Sequence, residues 1–328
     1  MLEPADTTLA FDALDGIVGE RILAPGYAAL FAGALAAARR KAARAMPFPP
    51  SDLPLAVAHA LEAPEDIRRL CAALGCAVWA GADILDDIAD GDGLDWIEPS
   101  DPRAVLVATN LLSTFPHLLL AGPLAASLPS DRRVRMSLAT AGAILEMSQG
   151  QHRDLSSTVS SFEDYLQTVS EKTGAEMALL AALPALALGL PEPEIAAWER
   201  FGRGFGMLVQ VYTDTCDIVA DPPGRDLLGG KRTAPVLHAL TVLEGDERAS
   251  FDVLLAEAAN GSEDAARAAS RIAVRAGALR AGLTLASYLR VKALAAAPRK
   301  PDQDPRCKSL SVLIHSSLPN PHQSGGTR

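Results

Sequence analysis

The chain has 328 residues, 49% of them hydrophobic but only 5% aromatic, and a formal net charge of −10. That length buries one large core or two small ones, and the dominance of Ala and Leu favours helices over sheets. The acidic balance and the lack of any sizeable basic patch exclude a nucleic-acid binder, but they leave room for an anionic substrate held through metal ions.

Apolar residues recur with the helical period over about 9–22, 26–45, 53–61, 65–90, 102–120, 131–152, 161–189, 193–221, 231–244, 247–258, 262–277 and 279–297. Turn-forming pieces separate these runs: Pro47-Phe48-Pro49-Pro50, Asp90-Gly91-Asp92-Gly93, Pro222-Pro223-Gly224 and Asn260-Gly261. No linker or composition shift divides residues 1–297, so one large helical bundle is expected there. From Pro298 to Arg328 the chain turns polar, and this tail is expected to be disordered apart from the apolar patch Leu310 to Ile314. The four cysteines Cys71, Cys76, Cys216 and Cys307 show neither CxxC nor disulfide-framework spacing, which suits a reducing compartment. Met1 to Asp15 has no basic segment before an apolar run, so no leader is expected. The apolar run Met177 to Leu190 contains Pro184 and is too short to span a membrane. A soluble, cytoplasmic protein is the expectation.

Two acidic clusters stand on apolar helices. The first, Asp86-Asp87-Ile88-Ala89-Asp90, closes the helical run through Ala82 and Val78. Asp86 and Asp90 project from one face, with Asp87 set off by about 100°. Carboxylates so close together repel, and the C-terminal end of a helix is unfavourable for them. Either the cluster is a solvated acidic helix end, or a hard divalent cation such as Mg²⁺ offsets the repulsion. The second cluster, Asp214, Asp217 and Asp221, lies at i, i+3 and i+7 and is expected on one face of one helix. Neither cluster has His or Cys at ligand spacing, which favours Mg²⁺ over zinc or iron.

Cations and hydroxyls occur where phosphate oxygens would need them, at Lys172-Thr173-Gly174 and Gly230-Lys231-Arg232-Thr233. Gln151 and Asp154 stand near one another in Gly150-Gln151-His152-Arg153-Asp154-Leu155. Each motif alone is weak, since Lys-Thr pairs are common on surfaces and buried amides often satisfy helix ends.

In order, the motifs resemble the trans-prenyl diphosphate synthase (polyprenyl synthetase) family, whose pattern runs DDxxD, GQxxDL, KTG, QxxDDxxD and GKxTxP. The matching stretches are Asp86 to Asp90, Gly150 to Leu155, Lys172 to Gly174, Gln210 to Asp217, and Gly230 to Pro235. The resemblance implies the all-α isoprenoid-synthase bundle, with both Asp motifs facing a deep central cavity. Asp86, Asp87 and Asp90 would hold Mg²⁺ on one wall and Asp214, Asp217 and Asp221 on the other, three ions in all with substrate bound. Lys172 and Lys231, with Thr173, would grip an allylic prenyl diphosphate, and Gln151 and Gln210 would line the site. It also implies a homodimer. Ala82 and Val78, upstream of the first motif, would line the alkyl pocket, and their small size points to a C15 or longer chain.

Departures from the pattern bear on the reaction. Thr213 stands where the family has the first Asp of the second motif, and Thr213-Asp214-x-x-Asp217-x-x-x-Asp221 is also similar to the NDxxSxxxE motif of class I terpene synthases. No Arg-Arg pair follows Asp90, and the N-terminal GGKRxRP segment is reduced to Arg39-Arg40-Lys41 and Arg44. In the family those cations help bind isopentenyl diphosphate. Three readings follow: a prenyltransferase whose acceptor is other than isopentenyl diphosphate, a terpene synthase that cyclises or hydrolyses its substrate, or a non-catalytic subunit of a heteromeric synthase.

Overall fold

The computed structural model describes residues 4–43, 50–156, 159–221, 223–299 and 303–316. Among these, every regular element is helical, as the composition and periodicity require. The turn at Pro47-Phe48-Pro49 and the basic residue Arg44 lie outside the described residues. Contacts gather the chain into two compact units, one of residues 1–144, 176–202 and 294–328, the other of residues 145–175 and 203–293.

The first unit is built around a central helix. It comprises α1 (Pro4–Arg21), α2 (Pro25–Ala43), α3 (Asp52–Ala60) and α4 (Glu65–Asp90), then α5 (Pro102–Thr109) and α6 (Phe115–Ala121). α4 starts after Pro64 with Glu65 and Asp66 in its first turn, where acids suit the helix dipole. Its middle is buried almost all round, from Leu70 through Ala80, and it packs against α1, α3, α5 and α6. Small residues make the close approach possible. A Cβ on Gly81 would lie 2.5 Å from the Leu112 amide nitrogen and 2.7 Å from the Ala108 carbonyl, so backbone meets backbone there. α4 stops at Gly91, whose φ of +72° only glycine adopts cheaply, and the Asp92 amide closes the end on the Asp87 carbonyl at 2.7 Å.

α5 and α6 are joined by a π turn at Asn110–Thr114. The run Pro102–Ala121 is long and apolar enough, by length and composition, to cross a membrane, although half of it is buried inside the protein. Its inward residues, Ala104, Val107, Ala108, Leu111 and Phe115, form part of the core around α4.

The expected disordered tail needs correction. Pro305–Cys307 forms a 3₁₀ turn that leads into a further helix, Lys308–Ser316. Cys307, Leu310, Leu313 and Ile314 are buried, and the segment packs on α3. The spacing of these four residues gives the short helix one apolar face, enough to hold it without an extended hydrophobic run. Residues 317–328 lie outside the described residues.

The second unit draws on the end of α7 (Ser130–Leu155), α8 (Phe162–Val169), the greater part of α10 (Glu192–Asp217), α11 (Arg225–Leu228), α12 (Ala234–Val242), α13 (Gly245–Ala259), α14 (Glu263–Arg275) and α15 (Ala278–Ala296). Between α8 and α9 (Ala175–Leu188) runs a second π turn, Ser170–Gly174. Phe251, Leu227, Ile218 and Val236 fill the core, with Ala266, Ala269 and Ala273 of α14 allowing that helix to come close. Ser161 and Asp164 form a complete capping box that fixes the start of α8.

Candidate functional site

The first acidic cluster occupies the last two turns of α4. Asp86, Asp87 and Asp90 are each partly buried there. Asp87, expected as a metal ligand, is paired with Lys41 of α2, whose ammonium lies 3.1 Å from both its oxygens and also reaches Asp83 at 2.7 Å. Burial pushes the Asp83 carboxyl up to about 6 against the pull of Lys41, and raises Asp87 as well. The other cations of the same helix are also engaged within the chain, Arg39 with Asp12 and Asp15, and Arg40 with Asp95 at 3.6 Å. Upstream, Val78 is wholly buried, so of the two expected pocket residues only Ala82 keeps some exposure. Gly75 is closed off too, since a Cβ there would meet Leu180, Pro50 and Pro54 at 3.3–3.4 Å.

The remaining predicted groups gather in the second unit, around the π turn at Ser170–Gly174. A π turn leaves a carbonyl short of its usual partner, and such turns recur at functional sites. Here the Arg203 guanidinium supplies the bond, donating to the Ser170 carbonyl at 3.0 Å while gripping both oxygens of Glu146. Glu171 accepts from Arg153 at 2.8 Å and Gln167 at 2.9 Å. Gly150 of α7 lies against the turn so tightly that a Cβ would come within 2.4 Å of the Lys172 nitrogen. That contact explains the glycine of the GQxxDL stretch.

So positioned, the Lys172 ammonium lies 3.1 Å from Asp154 of α7, and the Lys231 ammonium lies 3.6 Å from the same carboxylate and 3.7 Å from Asp226. Lys231 follows Gly230, whose φ of +67° turns the chain out of α11, and precedes α12, which begins with Pro235 near its N-terminus. Thr233, which the sequence pairs with Lys231, is buried. Thr173 likewise donates inward, to Gln210 Oε1 at 2.7 Å. Gln151, one residue on from Gly150, is partly buried on α7.

On α10, Asp214 is buried and accepts from Tyr165 Oη at 2.6 Å and Gln210 Nε2 at 2.7 Å. Burial raises its carboxyl to about 6, opposed by those two hydrogen bonds. Asp217 closes α10. Its Oδ2 is buried with no hydrogen-bond partner, and the carboxylate lies flat over Gly224, where a Cβ would come within 2.0 Å of it. Burial raises its carboxyl, while the Asp226 amide and Lys231 pull it down. Asp221 does not share this face. α10 ends at Asp217, Asp221 is 85% exposed and pairs with Arg267 at 3.5 Å. The chain breaks out of the helix ahead of Pro223 and Gly224, so the i+7 position is never built.

Two groups were missed by the sequence reading. Asp226 of α11 is partly buried and its carboxyl is pushed up to about 8, first by desolvation and then by the neighbouring charges of Asp214 and Asp217, with Lys231 opposing. Its signal was a lone acid in the Gly224-to-Lys231 turn region, one turn before the lysine. Tyr165 had a weaker signal, a polar-tipped aromatic one heptad ahead of Lys172.

Among the described residues no three His, Cys, Asp or Glu side chains form a ready-made metal cage. Mg²⁺ does not need one, because it takes one or two carboxylates and completes its shell with substrate phosphates and water. The partnerless buried oxygen of Asp217 and the all-oxygen donor set fit that ion.

In solved structures the same fold recurs. A geranylgeranyl pyrophosphate synthetase from Pyrococcus horikoshii superposes with a TM-score of 0.77 at 21% identity, covering 97% of this chain and 98% of that one. A polyprenyl synthetase from Streptomyces coelicolor gives 0.75 at 22% identity over 96% and 98%. The architecture is therefore that of the all-α isoprenoid synthases. Residues 53–272 match the polyprenyl synthetase family, and the chain belongs to it. A geranylfarnesyl diphosphate synthase of Natronomonas pharaonis is 31% identical over 173 residues, 48% of this chain and 49% of that protein. A short chain isoprenyl diphosphate synthase of Methanocaldococcus jannaschii is 29% identical over 114 residues, 32% of this chain and 35% of that protein. The matched stretch thus spans half or less of these curated relatives' own length.

Proposed function

We propose that this protein is a Mg²⁺-dependent prenyltransferase that ionises an allylic prenyl diphosphate and passes the prenyl group to an acceptor other than isopentenyl diphosphate. The observation that carries the reading is the convergence of Lys172 and Lys231 on Asp154, beside Asp226 and the partnerless oxygen of Asp217. Two ammonium groups drawn from separate turns and held 3.1–3.6 Å from one carboxylate are poised to exchange it for diphosphate oxygens. They stabilise the negative charge that develops on the leaving pyrophosphate as the C–O bond breaks. Asp217 of α10 would hold Mg²⁺ in the second unit, and Asp86 and Asp90 of α4 keep the metal-ligand role that the first motif gives them; the ion supplies further charge stabilisation when bound. Asp214, Asp87 and Asp221 are each committed to protein partners, and Thr173 and Gln210 to one another.

Two further observations support the finer parts. No Arg pair follows Asp90, and the basic segment is reduced to Arg39, Arg40 and Lys41, so cations expected for isopentenyl diphosphate are missing. On α7, Val134, Leu138 and Leu145 form an exposed apolar stripe, which supports a homodimer as the working form. The free cysteines are in keeping with a cytoplasmic location. Cyclisation or hydrolysis of the same substrate is the competing reading, favoured by Thr213 at the first position of the second motif. Incubation with Mg²⁺ and C10, C15 or C20 allylic diphosphates, each with and without isopentenyl diphosphate, tests the proposal. No chain elongation is expected with isopentenyl diphosphate, and pyrophosphate release is expected only once an acceptor other than isopentenyl diphosphate is supplied. Efficient elongation overturns the acceptor assignment, and acceptor-free cyclic or alcohol products favour the competing reading.

A further inference from the structure

Within the second acidic motif the three positions are not equivalent. Thr213 is exposed and its hydroxyl donates to the Val209 carbonyl at 3.0 Å, so the first position offers no carboxylate. Asp214 has a short hydrogen bond on each oxygen, from Tyr165 on Oδ2 and from Gln210 on Oδ1. One lone pair on each oxygen is thus taken, and with the residue only 4% exposed the approach to the others is closed. Asp217 is the opposite case, with a buried oxygen that has no hydrogen-bond partner.

The bonds around Asp214 also have a direction. Because the carboxylate accepts from the Gln210 amide, that amide must present its NH₂ to Asp214 and its carbonyl to Thr173. The Thr173 hydroxyl then donates to that carbonyl at 2.7 Å. A chain of donors thus runs from Thr173 through Gln210 to Asp214, with Tyr165 closing the far side. Thr173 lies inside the π turn and is adjacent to Lys172, so the chain ties the backbone that carries the lysine to α10. Serial hydrogen bonds polarise one another in a buried setting and hold such a geometry well.

We propose that Asp214 is a positioning residue for the Lys172 turn and not a metal ligand, acting with Tyr165, Gln210 and Thr173, and that Asp217 is the α10 carboxylate that meets the cation. This rests on the metal–diphosphate reading given above. It separates two contributions to diphosphate affinity that the motif merges. One arises from Lys172 and persists without metal, and the other arises from Asp217 and exists only with metal.

Calorimetric titration of the full chain with inorganic pyrophosphate, in EDTA and in Mn²⁺, measures both. Tyr165→Phe, Thr173→Val and Asp214→Asn are each expected to weaken binding in EDTA about tenfold, the scale of one charge-linked hydrogen bond, while the Mn²⁺-to-EDTA affinity ratio stays within about threefold of wild type. Asp217→Asn is expected to leave the EDTA affinity within about threefold and to lower the ratio about tenfold or more. Tyr165→Phe and Thr173→Val are near-isosteric, and circular dichroism melts establish that they fold. If Asp214→Asn lowers the ratio as far as Asp217→Asn does, or if Thr173→Val leaves the EDTA affinity unchanged, the assignment is overturned. Wild-type protein that binds pyrophosphate in neither condition overturns the metal–diphosphate reading itself. Wild-type binding that all four variants reproduce overturns both the Asp214 and the Asp217 assignments and leaves the metal–diphosphate reading standing.

Discussion

Replacing Gly150 by Ala tests whether the Lys172 turn is positioned by backbone contact. The added Cβ would lie 2.4 Å from the Lys172 nitrogen, 2.7 Å from the Glu171 carbonyl carbon and 2.8 Å from the Lys172 Cα. Relaxed carbon contacts sit near 3.5–4.0 Å, so α7 and the turn must separate by about 1 Å. All three atoms belong to the backbone, and no rotamer change relieves them. Overpacking of this kind costs about 1–3 kcal/mol, here at the upper end, while alanine returns about 0.8–1 kcal/mol of helix propensity. The net loss is about 1–2 kcal/mol, which lowers the melting temperature by a few degrees. Turnover should suffer more, because displacing a catalytic group by about 1 Å costs on the order of 100-fold. Gly142, on the same helix, has nothing within 4 Å of a built Cβ and serves as the control. Gly142→Ala should melt at or above wild type with full activity. Melting curves and pyrophosphate release from a C15 allylic diphosphate, with the prenyl acceptor supplied, provide the two readouts. A Gly150→Ala variant that melts no lower than wild type and turns over normally would refute the close-approach argument.

Gly224→Ala places a Cβ within 2.0 Å of the Asp217 carboxylate, so the side chain must swing away. Stability should change little, while the Mg²⁺ concentration for half-maximal turnover rises, and an unchanged Mg²⁺ titration would remove Asp217 from the ligand set. Stability of the metal-free protein should fall as pH rises. The Asp226 carboxyl stands at about 8 and Asp214 at about 6 in the fold, against about 3.9 unfolded, so the native state binds more protons across that window. Melts at pH 5.5 and 8.5 should show the decline, and Asp226→Asn should flatten its upper part; a wild-type profile that rises with pH contradicts the assignment. Ala82→Phe should weaken C20 diphosphate analogues more than C10 in a competition assay, and an unchanged length profile would place the pocket floor elsewhere.

The helical class and nearly every helix were legible in the sequence, because 3.6-residue periodicity and Gly or Pro breaks are local properties. α4, read as about 65–90, is found at Glu65–Asp90. The ordered motifs also gave the family, since each carries its spacing within the chain. What failed was local in a subtler way. Asp221 was placed on α10 by counting, but the helix ends at Asp217, and the two π turns shift the register where a plain helix was assumed. In the tail only the apolar patch Leu310 to Ile314 was set apart from disorder; that it forms the helix Lys308–Ser316 depends on its packing against α3.

Which oxygen is left for a cation was a matter for tertiary structure alone. Asp214 and Asp217 are the same residue type three positions apart, and sequence gives both the same role. Packing brings Tyr165 and Gln210 onto one and leaves an oxygen of the other buried without a partner. Lys41 is likewise only a basic residue in the sequence, 46 positions from the Asp87 it neutralises. Hydrogen bonds and ion pairs act over about 3–4 Å, and only the folded chain decides which groups come that close.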